Sequence, residues 1–275
     1  MAHPAHITAH RTGFAHGTTT VIAEDGRADG VGVDFAIVKM SAGEVLDEAH
    51  AKESAWVLLA GRARVQAEHA SGGVDVTSVS RESLFDDRPS ALLVCGGARV
   101  RIAAETDAEW AVVRTASSAH FASRLYQPQD VTSEARGQGL VQDASLRAVR
   151  MIFDHGTRPD AALVIGEVVH MPGRWSSYPP HHHAQPELYH YRFDKPQGYG
   201  HAELGDDVVK VKHNDTVKII GGVDHPQVAA PGYAMWYLWI VRHQKNAPYT
   251  GFTFADEHKW ILDGTDAGWS PRVLR

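Results

Sequence analysis

The chain has 275 residues, 43% of them hydrophobic, with a formal net charge of −6 at pH 7 and a single cysteine. This length can bury a large core, and the acidic balance argues against a general binder of nucleic acids or membrane surfaces. Cys95 alone excludes an intrachain disulfide framework and suits a reducing compartment. Because the start has no basic stretch before an apolar core, and no run of about 18 apolar residues occurs, we expect a cytoplasmic protein.

The first half of the chain reads as short strands rich in Val, Ile and Leu, separated by glycines. This pattern is typical of an antiparallel barrel or sandwich. A weak helical periodicity occurs only around 119–127. The predicted strands are 33–40, 55–60, 63–66, 74–79, 91–94, 100–104 and 110–114.

The strand pattern restarts after a more polar linker, and the two halves resemble a diverged repeat. We therefore predict an all-β protein made of two antiparallel, jelly-roll-like barrels, 1–116 and 148–275, joined by the linker 117–147. The second set of predicted strands is 148–153, 161–171, 187–193, 200–204, 208–211, 216–220 and 233–241. In the repeat, Met40–Gly43 corresponds to Met171–Gly173, Glu53 to Glu187, and Gly96-Gly97 to Gly221-Gly222.

A metal site is predicted between Trp175 and His225. On an extended strand, His181 and His183 point to the same side, and Glu187 begins a new strand directly after a proline. His225 follows a further pair of strands in a Gly-x-x-His sequence. Three imidazoles and one carboxylate suit zinc, manganese, iron or nickel, and the spacing does not choose among them.

The alternative to a metal site here is a solvated histidine-rich loop. The chain has 18 histidines, so a run of three could be a solvated loop, but this run follows Tyr-Pro-Pro in an aromatic setting.

The first half offers only His50 and Glu53 near the corresponding positions, with Val100 in place of His225. We therefore predict that the N-terminal barrel is metal-free and that His50 and Glu53 are polar rim residues.

The motif His-x-His-x3-Glu, followed about forty residues later by Gly-x-x-His, resembles the metal-binding motifs of the cupin superfamily. The longer sequence is similar to the 5-deoxy-glucuronate isomerase family of bacterial myo-inositol catabolism. This family comprises bicupins related to the isomerase of 4-deoxy-5-keto-uronates. The residues that carry the resemblance are Trp-Ser-Ser-Tyr-Pro-Pro-His-x-His at 175–183, Glu-Leu-Tyr-His-Tyr-Arg-Phe at 187–193 and Ala-Ala-Pro-Gly-Tyr at 229–233.

The resemblance implies an aldose–ketose isomerase that converts 5-deoxy-glucuronate to 2-deoxy-5-keto-gluconate through a metal-stabilised enediolate. A divalent metal is then the cofactor, with zinc expected first, held by His181, His183, Glu187 and His225. Such a reaction also needs a general base near the metal. The candidates for the catalytic group are Glu187, Tyr178, Tyr189 and His190.

The substrate of this family is a sugar acid, whose carboxylate matches the fork of an arginine. Arg174 and Arg192 are the nearest candidates, although Arg192 has the opposite strand parity to Glu187. Tyr237 is a candidate for stacking on the sugar. The expected partner is thus a small-molecule sugar acid, with no nucleic acid or membrane and with homo-oligomerisation possible.

Two other functional classes stay open at this point. The segment between the His-x-His pair and Glu187 is shorter than is usual in the family, so a relative acting on another deoxy- or keto-sugar acid would share the pattern. Three histidines and a glutamate also suit a cupin dioxygenase that binds oxygen at a vacant position. The second class is a bicupin that binds a sugar acid without turnover, and fold alone does not decide among these functions.

Overall fold

The structure is a computed structural model that describes residues 3–24, 30–269 and 271–272. The outer ends of the two predicted units, residues 1 and 275, lie outside the described residues. Within those ranges the chain is built mainly of strands with three short 3-10 helices, at Pro128–Asp130, Val141–Asp143 and Asp256–Asp263. No helix there has the length and apolar character needed to cross a membrane.

The strands fall into two groups separated by a connecting region, as the repeat predicted. In the first half they are β1 (His6–Ile7), β2 (Gly17–Ile22), β3 (Asp34–Met40), β4 (Val45–Ala49), β5 (Glu53–Glu68), β6 (Val74–Arg81), β7 (Ala91–Val94), β8 (Arg99–Ala104) and β9 (Ala108–Thr115). The connecting region contains β10 (Arg124–Tyr126) and β11 (Thr132–Arg136). The second half contains β12 (Arg147–Phe153), β13 (Leu163–His170), β14 (Trp175–Ser176), β15 (His181–His182), β16 (Glu187–Phe193), β17 (Tyr199–Leu204), β18 (Asp207–Lys212), β19 (Thr216–Ile219), β20 (Gln227–Ala229), β21 (Met235–Arg242) and β22 (Thr253–Phe254).

The sheets form two antiparallel barrels, which confirms the all-β prediction. In the N-terminal barrel one wall has the order β10-β7-β5-β9-β3-β2, and β4, β6 and β8 complete the other wall. In the C-terminal barrel one wall has the order β1-β19-β16-β21-β13-β12-β11, and it faces a second sheet, β14-β20-β17-β18. The pair β15–β22 forms a separate two-stranded sheet.

The connecting region is part of both barrels. Strand β10 pairs with β7 of the N-terminal barrel, and β11 pairs with β12 of the C-terminal barrel. Strand β1, near the start of the chain, pairs with β19 of the C-terminal barrel. The division at 116 and 148 therefore stays a prediction about where each barrel begins and ends.

The weak helical signal at 119–127 was wrong. This segment is extended and ends in β10. The reason is tertiary packing, because Phe121 and Tyr126 insert into a shared hydrophobic core and the backbone N–H of Ser123 donates to the carbonyl of Gly72.

Three hydrophobic cores follow from the alternation of side chains along the strands. One core fills the N-terminal barrel around Trp56 and Trp110, and another fills the C-terminal barrel around Tyr191 and Trp239. The third lies between the barrels and takes residues from both halves. Because the central strands are buried on both faces, their sequences read as continuous apolar runs.

The prediction that Glu53 lies on the rim was wrong, because its side chain is fully buried. Its carboxylate accepts hydrogen bonds from the backbone N–H of Ala162 at 2.9 and 3.0 Å, which connects the two barrels. Strand register makes Ser54, and not Glu53, the counterpart of Glu187 in the N-terminal barrel. Ser54 pairs with Val94, two residues before Gly96, just as Glu187 pairs with Ile219, two residues before Gly221.

Candidate metal centre

The His-x-His sequence projects both outer imidazoles to the same side, as its spacing predicts. His181 and His183 are buried, each with 8% of its surface exposed. His182 points the other way, and its Nδ1 lies 2.9 Å from Oδ1 of Asp224. This contact ties the histidine segment to the loop that carries the last predicted ligand.

Glu187 is the first residue of β16, a strand that lies between β19 and β21. Its side chain and those of Tyr189 and Tyr191 share the face that lines the C-terminal barrel, as the period of two requires. The following glycine loop brings His225 to the same place. The backbone N–H of Gly222 donates to the carbonyl of His183 at 2.9 Å, which joins the two ligand-bearing segments directly.

Three of the four predicted ligands form a compact cluster. One donor atom each from His183, Glu187 and His225 lies within 4.8 Å of the others, and all three residues are buried. Oε2 of Glu187 is 3.1 Å from Nε2 of His183 and 3.3 Å from Nε2 of His225. His181 is adjacent, with its ring centroid 4.9 Å from that of His225.

Hydrogen bonds orient the imidazoles toward this cluster. The backbone carbonyl of Val223 lies 2.9 Å from Nδ1 of His225, which leaves Nε2 to face Glu187. The carbonyl of Pro179 lies 3.3 Å from Nδ1 of His181 in the same manner. Nε2 of His225 and Nδ1 of His183 are buried without a hydrogen-bond partner. In His225 a backbone carbonyl fixes Nδ1 and leaves Nε2 facing the cluster, an arrangement typical of a metal-ligating histidine, so this residue fits a bound ion.

The charge states of Glu187 and His181 also suit a metal. Burial opposes ionisation of Glu187, but its contacts with His183 and His225 outweigh burial and lower its pKa to about 2. Burial lowers the pKa of His181 to about 3, so this imidazole is neutral at physiological pH. An ionised carboxylate beside a neutral imidazole is the form in which both groups bind metals.

A partly open cavity lies beside the cluster, and its lining includes His181 and Glu187 together with residues of several strands. Two of the predicted site residues, Tyr189 and Tyr237, line it, and their rings stack with centroids 4.4 Å apart. The hydroxyl of Tyr237 lies 2.7 Å from Oγ of Ser176.

Four other predicted site residues do not line the cavity: Tyr178, Arg174, His190 and Arg192. Tyr178 is half-buried against Trp175 and does not line the cavity. Arg174 donates to the carbonyl of Gln142 at 3.0 Å.

His190 and Arg192 project from the opposite face of β16 because they have the other strand parity. His190 contacts Thr216 and packs against Phe35 in the region between the barrels. Arg192 pairs with Glu109 of the N-terminal barrel, its Nη2 donating to Oε1 at 2.7 Å. The structure therefore does not bring either side chain to the cavity.

The cavity also contains residues that the sequence reasoning missed. Arg147 and Arg136 line it, as do Tyr249 and Phe252 near the end of the chain. Arg147 has the same strand parity as Val149, which also lines the cavity, but parity alone does not show which cavity a strand faces. Nothing in the local sequence indicated Tyr249 or Phe252, since they come from an irregular segment.

A second group of potential ligands, His69, Cys95 and His120, also has donor atoms within 4.8 Å of one another. Here the polar atoms already have protein partners. The thiol of Cys95 donates to the carbonyl of Phe121 at 3.3 Å, and Nδ1 of His69 accepts from the backbone N–H of Ser71 at 3.1 Å. This group thus lacks the unpartnered buried nitrogens that mark the C-terminal cluster.

The fold and the site together define a double-barrel cupin whose C-terminal barrel carries a metal-ligand cluster beside a cavity. A solved structure of oxalate decarboxylase from Lactobacillus farciminis, 12% identical, superimposes with a TM-score of 0.67 over 95% of this chain and 88% of that chain. At this identity the similarity shows the fold alone. An IolB-like protein from Salmonella typhimurium LT2 is more similar, with 27% identity and a TM-score of 0.73 over 84% of this chain and 90% of that chain.

The chain belongs to the KduI/IolB family, whose model matches residues 6–261. A 5-deoxy-glucuronate isomerase of Geobacillus thermodenitrificans is 27% identical over 84% of this chain and 86% of its own length. The protein of that name from Bacillus subtilis strain 168 is 26% identical over 84% of this chain and 88% of its own length. The family resemblance drawn from the sequence is confirmed.

Proposed function

We propose that this protein is a metal-dependent aldose–ketose isomerase that converts 5-deoxy-glucuronate to 2-deoxy-5-keto-gluconate. The observation that carries the proposal is the buried cluster of His183, Glu187 and His225 beside a partly open cavity. The relatives named 5-deoxy-glucuronate isomerase support the choice of substrate.

His183, Glu187 and His225 would hold the ion, and His181 would complete the set from the adjacent strand. Imidazole and carboxylate donors suit a divalent ion, with zinc expected first and manganese, iron or nickel as alternatives. When bound, such an ion supplies Lewis-acid stabilisation of negative charge that develops on substrate oxygen.

The protein's own groups would move the proton and orient the substrate. The reaction removes a proton from one carbon and returns it to the next, so it needs an acceptor and hydrogen-bond donors close by. Glu187 lines the cavity, which makes it our candidate for the acceptor, and in that role its carboxylate would have to leave the ion. Burial raises the pKa of Tyr189 well above its usual value, so its hydroxyl stays protonated and donates to a substrate oxygen.

Aromatic side chains would exclude water from the reacting carbons. Tyr249 packs against His183 with ring centroids 4.8 Å apart, and Phe252 stacks on His181 at 4.0 Å. Both residues line the cavity, together with Trp239. Exclusion of water by these rings would strengthen the electrostatic interactions inside the cavity and limit side reactions with water.

The test is proton NMR of metal-analysed protein with 5-deoxy-glucuronate in deuterium oxide. We expect conversion to 2-deoxy-5-keto-gluconate, loss of turnover on chelation, and solvent deuterium at the carbon that gains a proton. Absence of turnover by protein with a full complement of metal would contradict the proposal. Oxygen uptake with the same substrate would favour a dioxygenase instead, and binding without any chemical change would favour a sugar-acid-binding protein.

A further inference from the structure

Arg147 is a buried cation that the protein itself does not neutralise. Only 5% of its surface is exposed. Nη1 donates to the carbonyl of Ser145 at 2.7 Å, while Nε has no hydrogen-bond partner. No carboxylate of the described residues forms an ion pair with this guanidinium, although it lines the cavity beside Glu187.

The other buried arginines show how unusual this arrangement is within the molecule. Arg81 and Arg150 both donate to Glu167, at 2.7 and 2.8 Å. Arg158 pairs with Asp160 at 3.0 Å, and Arg192 pairs with Glu109 at 2.7 Å. Arg147 is the exception among the buried arginines of the described chain.

An uncompensated buried charge is unfavourable, and a protein that keeps one gains from a ligand of opposite charge. Burial lowers the pKa of Arg147 to about 10, which still leaves the group protonated at neutral pH. Arg136 adds a second positive charge to the cavity lining, and strand register places it directly opposite Arg147. The carboxylate of Glu187, also in the lining, is already engaged by two histidines.

We infer that Arg147 binds the carboxylate of the substrate through the unused side of its guanidinium, and that Arg136 assists by charge alone. This inference rests on the proposed function, because it takes the ligand to be a sugar acid. A guanidinium with Nε free can donate to a carboxylate oxygen with the strength of a charge-assisted hydrogen bond. Arg136 contributes less because it is half-exposed and pairs with Glu134 at 2.7 Å.

Carboxylate binding at Arg147 would also set the direction in which the substrate lies. In a uronate, the carboxylate and the aldehyde are at opposite ends of the carbon chain. If the carboxylate binds at Arg147, the aldehyde end extends along the cavity toward Glu187 and His181. The same contact would select acidic sugars over neutral aldoses.

Calorimetric titration with glucuronate and with glucose tests the inference without requiring turnover. The two sugars differ by the carboxylate, so the ratio of their dissociation constants measures its contribution. We expect the wild type to prefer glucuronate by about 10–100-fold, as a charge-assisted hydrogen bond to a buried group allows. Arg147→Met should abolish this preference, Arg136→Met should reduce it by a smaller factor, and the surface variant Arg124→Met should leave it unchanged.

Chemical rescue separates a binding role from a structural one. Guanidinium at millimolar concentration should restore the glucuronate preference of Arg147→Ala, and Arg147→Lys should keep part of it. A preference for glucuronate that survives in folded Arg147→Met, or is lost in Arg174→Met instead, would overturn the inference. Failure of the wild type to isomerise 5-deoxy-glucuronate while its glucuronate preference depends on Arg147 would contradict the proposed reaction and leave this binding assignment standing.

Discussion

At the scale of single residues, the two barrels contain a matched pair of histidines. The backbone N–H of Gly97 donates to the carbonyl of His50 at 2.8 Å, just as that of Gly222 donates to the carbonyl of His183 at 2.9 Å. The positions therefore correspond, and Nε2 of His183 lies 3.1 Å from Oε2 of Glu187. We expect His183→Ala to lose both bound metal and isomerase activity, and His50→Ala to keep both.

Elemental analysis of the purified variants and the NMR assay measure these outcomes. Loss of a direct ligand should exceed the roughly 10–100-fold loss of metal affinity that follows removal of an outer hydrogen-bond partner. His225→Ala should behave like His183→Ala. A full complement of metal in either variant would show that the ligand set is misassigned, and metal loss in His50→Ala would point to a role for the N-terminal barrel.

Glu53 gives a prediction about pH and stability. Burial raises its pKa from 4.5 to about 7, and backbone N–H donors only partly offset this effect. Its contribution to stability is therefore fully present below pH 4.5 and is lost as the pH rises through 7. Relative to Glu53→Gln, which stays neutral and can still accept a hydrogen bond from Ala162, the wild type should lose about 3 kcal/mol of unfolding free energy across this window.

Urea denaturation of both proteins at several pH values measures this difference. The comparison cancels the titration of groups that the two proteins share. Parallel pH profiles for the wild type and Glu53→Gln would show that Glu53 has an ordinary pKa in the folded protein.

At the scale of strands, the alternation of side chains between two faces explains which site residues could be predicted from the sequence and which could not. The period of two correctly grouped Glu187 with Tyr189, and it separated His182 from its neighbours. The same period places His190 and Arg192 on the opposite face of β16. Closeness in sequence to Glu187 therefore did not predict which side chains reach the cavity. Arg147 lies 40 residues before Glu187 in the chain, so its place in the cavity depends on the order of strands in the sheet, which local pattern does not determine.

The glycine turns offer a second comparison between the barrels. A Cβ on Gly221 would lie 2.1 Å from the carbonyl oxygen of Ala184, and one on Gly96 would lie 2.3 Å from that of Ala51. Each substitution with alanine should force the turn apart and destabilise the protein by about 1–3 kcal/mol. Only Gly221→Ala should also weaken metal binding, because its turn joins the segments of His183 and His225.

Thermal unfolding and zinc titration of the two variants make this comparison. Equal loss of metal affinity in Gly96→Ala and Gly221→Ala would mean that the effect is global rather than local to the C-terminal turn. Unchanged stability in both would mean that the turns adjust without cost.

At the scale of the whole molecule, the N-terminal barrel serves as a packing partner for the barrel that holds the metal ligands. The core between the barrels takes Phe35 and Val57 from one half and Ile165 and Leu238 from the other. This interface also contains His190 in full burial, which accounts for a polar residue on the outer face of β16. The duplicated fold could be predicted from sequence, but the polar contacts across this interface could not, since they join residues far apart in the chain.

One such contact allows a test of how strongly the barrels depend on each other. Glu167 of β13 is fully buried, and its Oε1 accepts hydrogen bonds from Arg81 of β6 and Arg150 of β12. Glu167→Gln would remove the negative charge and leave two buried guanidiniums without an anion. Breaking a buried pair in this way costs about 3–5 kcal/mol, whereas Glu134→Gln, which affects an exposed pair with Arg136, should cost no more than about 1 kcal/mol.

Urea unfolding followed by tryptophan fluorescence gives the readout, because Trp56 and Trp110 lie in the N-terminal barrel and Trp239 in the C-terminal one. The shared core predicts a single transition for the wild type, shifted to lower urea in Glu167→Gln without splitting. Two separate transitions in the wild type would show that the barrels fold independently. A Glu167→Gln protein as stable as Glu134→Gln would mean that the charge of Glu167 adds nothing to the attachment of the barrels, and that the apolar interface and the other polar contacts hold the metal-binding half in place.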